Sequence, residues 1–299
     1  MRNYTLILVT ILFSIVTNAQ GINKEIAIED ETPFLLGRIN KEGLTSENYN
    51  QWFSKTFENY ELDQATIKAI GSKLQEYQIT LFMGTWCGDS KKEVPRFYKI
   101  LEACDFPEDQ LTVIALSRKS YMYKQSPNHY EAGLNIHRVP TFVFYKDRKE
   151  VNRIVEHPVE SLEKDILSII TSVDYQSNYE IVTKISNVLK EDGLNGLKKQ
   201  SRKLVKAFNG KLTSMSELNT YARTLYSTNR LNEAIEVCKI NTKLFPDSSR
   251  TYGSLSIVLD ANGKTNEAIK VIEKAIKQFP ENQDLIDSLE DLKQDKSTI

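Results

Sequence analysis

Ile79-Thr80-Leu81-Phe82-Met83-Gly84-Thr85-Trp86-Cys87-Gly88-Asp89-Ser90-Lys91-Lys92-Glu93-Val94-Pro95 is the stretch on which the reading of the whole chain turns. Its apolar run ends at Gly84-Thr85, and Val94, Phe97, Ile100 and Leu101 then recur at helical spacing on one face. That pattern predicts a buried strand feeding a helix, with Cys87 where the helix begins. The first turn of a helix presents unpaired N–H groups and the positive end of the dipole, and both favour a thiolate over a thiol. Only the thiolate attacks disulfides. Trp86 beside it offers a flat apolar surface for an incoming chain. Cys87 is therefore the candidate nucleophile.

Outward from this stretch, the order is regular. Leu111-Thr112-Val113-Ile114-Ala115-Leu116 reads as a second buried strand, and Val139-Pro140-Thr141-Phe142-Val143-Phe144-Tyr145 as a third, with proline at its first position. A turn at Lys146-Asp147-Arg148-Lys149 and the run Val151 to Val155 complete a hairpin. Helices are predicted at 47–58 and 63–77, and another from Pro158 with Leu162, Ile166, Ile169 and Ile170 on its apolar face. Phe34 to Ile39 is a short strand, 20–32 a flexible acidic lead-in, and 117–135 a polar, tyrosine-rich loop with a short helix. Strand, helix, strand, helix, hairpin, helix is an α/β core.

The remainder reads as helices only. Ser177-Asn178-Tyr179-Glu180 has the spacing of a capping box. Beyond Ser214 the sequence repeats. A shift of 34 residues maps Asn232-Glu233-Ala234-Ile235 onto Asn266-Glu267-Ala268-Ile269, Phe245-Pro246 onto Phe279-Pro280, and Asn229 onto Gly263. Paired helices with this period are the tetratricopeptide pattern, and 284–292 supplies a final capping helix.

Composition excludes several classes. The 299 residues carry 39 Lys+Arg against 40 Asp+Glu, a net charge of -1, so nothing points to nucleic acid or an anionic membrane as partner. Arg2, the apolar run from Leu6 to Val16 and the small residues around Ala19 read as a cleaved secretory peptide over 1–19, leaving an exported chain, periplasmic or secreted, with no membrane span. Its 3 cysteines, Cys87, Cys104 and Cys238, do not make a disulfide scaffold. Cys104, 17 residues after Cys87 on one predicted helix, would sit roughly 25 Å away, beyond bridging distance. Cys104 and Cys238 read as packing residues. His137, three residues before Pro140, reads as a surface histidine rather than a base, and no metal-ligand spacing or cofactor motif is present.

Together the two informative stretches resemble the thioredoxin-like family over 47–172. Trp86-Cys87-Gly88-Asp89-Ser90 is similar to that family's Trp-Cys-Gly-x-Cys site, Pro95 stands where the family has a helix-kinking proline, and Val139-Pro140-Thr141 is similar to its cis-proline loop. The resemblance implies a cis Val139–Pro140 bond packed beside Cys87, with Trp86, Val139 and Pro140 holding the client backbone and Cys87 and Ser90 carrying the chemistry. Three departures qualify the activity. Ser90 replaces the second cysteine, Leu81 occupies the place of the family's buried aspartate, and the segment between the site and the proline loop is longer. A two-cysteine site releases itself through its second thiol, and serine has none to give.

The expectation is a thioredoxin-like α/β domain (47–172) after an N-terminal extension (20–46), then a helical linker (173–213) and an all-α tetratricopeptide-type region (214–299). The expected function is a monothiol protein forming mixed disulfides with client thiols or disulfides through Cys87. Ser90 would serve either as a hydrogen-bond donor to the thiolate or as a helix cap, and the repeats would hold a peptide partner. The alternative is a non-catalytic binding scaffold in which Cys87 is a relic.

Overall fold

A computed structural model describes residues 21–171 and 174–297. The predicted secretory peptide, 1–19, lies outside the described residues, as do 172–173 at the expected domain boundary and the last two positions. The described residues form a mixed α/β region followed by an all-helical region.

The chain begins with β1 (Glu25–Ile28) and β2 (Glu31–Leu35), which pair antiparallel with Ile26 opposite Phe34. The lead-in expected to be flexible over 20–32 is thus a hairpin. Ile26 and Ile28 alternate with exposed neighbours, and Asp30 takes a left-handed φ of 58° between the strands. β3 (Gly37–Ile39) follows, then α1 (Lys41–Leu44), α2 (Glu47–Asn59) and α3 (Gln64–Ile70). The single helix predicted over 63–77 stops early. Gly71 has a φ of 46°, and a 3-10 turn at Gly71–Glu76 carries the chain onward.

β4 (Gln78–Met83) leads through Gly84–Cys87 into α4 (Gly88–Ala103), which returns to β5 (Leu111–Ala115). A 3-10 turn at Ser120–Met122 is the regular structure in the long segment that follows. β6 (Thr141–Lys146) and β7 (Lys149–Val155) form the predicted hairpin, turned by Asp147 and Arg148 at φ 51° and 61°. α5 (Leu162–Ile170) begins at Ser161, whose side chain accepts from the Lys164 N–H; Pro158 lies three residues ahead of that cap and does not open the helix.

The strand order is β3-β5-β4-β6-β7, with β4 and β5 parallel and every other pair antiparallel. β4 lies at the centre, and its residues divide between two clusters. Ile79, Leu81 and Met83 join the larger one with Val94, Phe97 and Ile100 of α4 and Ile166 of α5. Phe82 joins a smaller one with Ile114, Leu116, Ile136, Val139 and Val143, against which Trp86 and Cys87 pack. A strand apolar on both sides requires cover on both sides. Helices cover one face, and the segment after β5 supplies much of the other.

From Glu180 the described residues hold helices and turns. α6 (Glu180–Phe208) bends at Gly193, where φ is 64° and ψ is -167°. It is entered through Tyr179 in a left-handed conformation, with no side-chain cap, so the capping box expected from Ser177 is not formed. α7 (Ser216–Ser227), α8 (Leu231–Leu244), α9 (Ser249–Ala261), α10 (Thr265–Gln278) and α11 (Gln283–Ser297) follow. The bounds of α8 and α10 coincide under the 34-residue shift, Asn229 and Gly263 both have positive φ (59° and 71°), and Ala234 and Ala268 are both buried. A small side chain at each position allows neighbouring helices to approach. Among the described residues no helix is long and apolar enough to cross a membrane.

Candidate functional site

Cys87 is the N-cap residue of α4, with extended φ and ψ of -93° and 129°. Its N–H donates to Gly84 O at 2.9 Å and its carbonyl accepts from Lys91 N at 3.0 Å, so a tight turn ends and the helix begins on this one residue. The unpaired amides of the first turn follow directly, with the exposed Asp89 among them. Gly84 is required by its neighbour. A Cβ there would lie 2.6 Å from the Trp86 ring, which folds back over the turn while its Nε1 donates to Leu116 O at 2.8 Å. Trp86 and Cys87 are both partly exposed.

The structure brings the two sequence stretches together. Cys87 Sγ donates to the carbonyl oxygen of Val139 at 3.1 Å, and the Val139–Pro140 bond is cis. The loop is pinned on both sides, with Thr141 Oγ1 donating to Arg138 O at 2.7 Å and Glu156 N donating to Pro140 O at 2.7 Å.

Ser90 is not the helix cap, a place that Cys87 takes. It is fully buried, its Oγ accepts from the Gly84 N–H at 3.2 Å, and among the described residues no hydrogen bond joins it to Cys87. It lies one turn inside the helix, where its side chain faces back under the strand end. The serine therefore satisfies a buried backbone donor and fixes the turn that carries the sulfur. Leu81 is buried in the larger core with no polar partner to serve.

The other two thiols are of a different kind. Burial pushes Cys104 up to about 11, with Asp105 adding to it, and pushes Cys238 up to about 12. Both are buried, as packing residues should be.

Sequence reasoning missed the cations. Lys124, in the long segment after β5, is 5 % exposed, and its Nζ donates to His137 O. Burial pushes its pKa down to about 7, and the nearby Arg138 charge adds to that. Arg138 pairs with Glu156 at 2.9 Å and donates to Ser216 O at 3.1 Å, which ties the proline loop to α7. Arg223, also on α7, lies 3.8 Å over the Tyr123 ring, and Tyr123 is itself within electrostatic reach of Cys87. A polar, tyrosine-rich segment between two strands was the one available signal, and it gave no position.

His137 is not a surface histidine. It is 6 % exposed, set edge-on to Tyr179 and Tyr221 of the helical region, with Nδ1 3.3 Å from Asn135 O and Nε2 buried without a hydrogen-bond partner. Burial, then the nearby Lys124 charge, push its pKa down to about 3. Further bonds cross the same junction, from Gln125 to Ser227 O, Asn135 to Ser186 and Arg230 to Asn135.

A groove of about 490 Å³ opens between this segment and the helices, lined by Tyr123, Asn219, Arg223, Tyr226 and Ile257. Tyr226 and Ile257 are exposed apolar surface. Among the described residues no group of three or more His, Cys, Asp or Glu side chains is placed to hold a metal ion. No family model matches this chain, and no curated protein matches it.

Proposed function

We propose that this is an exported monothiol protein, thioredoxin-like in its α/β region and tetratricopeptide-like in its helical region, in which Cys87 forms mixed disulfides with client proteins. The observation that carries the reading is the partly exposed Cys87 at the head of α4, 3.1 Å from the Val139 carbonyl. A client strand lying along Val139 and Pro140 would have its sulfur delivered to Cys87, in the manner of an added β-strand. The order β4-α4-β5 followed by β6-β7-α5 supports the thioredoxin-like assignment, and the coincident 34-residue helix bounds support the repeat assignment. The secretory peptide read at 1–19 supports export, in line with a compartment where disulfides persist.

In the exchange, the Cys87 thiolate bonds to one sulfur of a client disulfide. The old S–S bond breaks, and the second client sulfur leaves as a thiolate that takes up a proton. A two-cysteine site would then eject the client with its second thiol. Ser90 has no sulfur, so the mixed disulfide waits for an outside thiol. The groove on the helices is where partners would be recruited.

Covalent trapping tests this. Pull-down from an envelope fraction under non-reducing conditions should retain thiol-sensitive complexes with the natural chain and none with Cys87→Ser. Ser90→Cys should lower their yield by about tenfold, because a second thiol releases clients. Native iodoacetamide should add to Cys87 alone, since the other two thiols are buried. Partners that are retained equally by Cys87→Ser would leave the scaffold reading, with the groove as the binding surface.

A further inference from the structure

The thiol has a charge problem that the turn does not solve. A thiolate at Cys87 faces the Val139 carbonyl oxygen, whose lone pairs repel an anion. The position that carries an acid beneath the site in the resembling family is Leu81 here, buried in the apolar core.

Lys124 has the converse problem. Its ammonium is almost fully buried and held to His137 O, and among the described residues no carboxylate forms an ion pair with it. A buried cation without an anion is costly. Its own backbone is in the left-handed region, with a φ of 54°, and is fixed by the Lys124 N–H to Ser117 O bond at 2.9 Å. A bulky residue held in that conformation is over-determined by its surroundings. The charged groups that act on it are Arg138 and Arg223, which repel it, and Cys87 and Glu156, which attract it. Glu156 is already engaged by Arg138 and by the Tyr179 hydroxyl. Of the remaining neighbours, the Tyr123 ring lies 5.0 Å from Nζ, and His137 is held neutral by burial. Lys124 Nζ is held by the His137 carbonyl and Cys87 Sγ by the Val139 carbonyl, two residues further along the same loop, so Cys87 is the group beside the lysine that can supply an anion.

We propose that Lys124 is the charge partner of Cys87, a positioning residue whose ammonium props the proline loop at His137 and balances the thiolate when it forms. Among the described residues the two make no direct hydrogen bond, so the coupling is electrostatic. The pair holds one proton between them in the reactive state. Cys87 gives up its proton, Lys124 carries the positive charge, and the net charge in the pocket is zero. When Cys87 attacks a client disulfide, its thiolate charge moves to the departing client sulfur. That sulfur leaves as a thiolate and takes its proton from water, so Lys124 keeps its charge. Sulfur oxidation states balance as in any thiol–disulfide exchange, and no outside electron source enters. The usefulness of the pair rests on the exchange reading above, but its existence does not.

The test follows iodoacetamide alkylation of Cys87 in the full chain by intact mass, from about pH 5 to about pH 10. Lys124→Met should slow alkylation by about tenfold near neutral pH, with the deficit closing as pH rises, and Lys124→Arg should restore most of the rate because it keeps a cation. Superimposable profiles for the natural chain and Lys124→Met would overturn the proposal. So would equal slowing by both substitutions at every pH, which is what a mere prop for the loop predicts. Should Lys124→Met not fold, the lysine can be read instead, by NMR titration of its side-chain carbon. Its midpoint should fall in Cys87→Ser, which removes the attracting anion, and an unchanged midpoint would overturn the pairing. Alkylation and titration need no client, so failure to trap clients would count against the exchange reading and leave the pair standing.

Discussion

Two segments meet at the sulfur, and they arrive by opposite routes. The turn 84–90 is built from within. Gly84 makes room for Trp86, Ser90 satisfies Gly84, and Cys87 closes the turn and caps the helix, all within seven residues. The segment 117–138 is built from outside. It has one short 3-10 turn and a few bonds of its own, among them Lys124 to His137, but its outer side is held by helices more than fifty residues further along the chain, at Ser186 and Ser227. Local structure placed the thiol; distant structure supplied much of its surroundings. The position of a thiol can be encoded in a short motif, whereas the charges around it here depend on the assembled chain.

The largest expected effect bears on the first segment. Leu81→Asp, which puts the resembling family's acid under the turn, should cost about 3 kcal/mol or more, because a carboxyl would enter a fully buried apolar site. Urea unfolding monitored in the α/β region checks it. If the variant is as stable as the parent, the two-faced core around β4 is wrong.

The second bears on the long segment. His137 is pushed down to about 3 from an ordinary value of 6.5, so the unfolded chain binds the extra proton between those limits. Stability from this group is complete above the unfolded value and declines as pH falls towards the folded one. About 2 kcal/mol should be lost between pH 6.5 and pH 5, at about 1.4 kcal/mol per unit. In His137→Phe that slope should flatten; denaturation midpoints across this pH range measure it. A slope unchanged by the substitution would mean that the junction between loop and helices opens to water.

A smaller effect returns to the turn. Ser90→Ala leaves the buried Gly84 N–H unpaired and should cost about 1–2 kcal/mol, with hydrogen exchange at Gly84 rising accordingly. The smallest concerns the junction: Arg230→Ala removes the bond to Asn135 and the pair with Glu233, for about 0.5–1 kcal/mol. Its signature is faster amide exchange across 133–138, with the turn at 84–90 unaffected.

The same division explains what could be read in advance. β4, α4, β5 and the β6–β7 hairpin were legible because each is announced by its own apolar pattern and turn residues. The α8 and α10 bounds were legible because the repeat states them twice. What failed depended on neighbours. The β1–β2 hairpin looked like an acidic tail because two isoleucines carry the alternation. Ser161 and Tyr179, not Pro158 and Ser177, open their helices, a choice that packing makes between adjacent candidates. Ser90 was identified as a site residue, but its bond to Gly84 was not foreseen, since the sequence alone does not show that the strand end lies within its reach. Lys124 and His137 were beyond reach, because burial of a charge is decided by whatever covers it.

Consecutive residues 137, 138 and 139 hold the lysine, the helical region and the sulfur in turn. This makes the molecule hard to subdivide. Among the described residues the α/β region has two packed clusters and the helical region a third, and on that count the molecule looks like a fusion that could be cut between its two regions. A fragment ending before Glu180 would keep its sheet and lose the wall that Arg138, Asn135 and Gln125 lean on, so it would present a sulfur in different company. Swapping in another helical array would carry the same penalty, which makes the junction a shared organ rather than a seam.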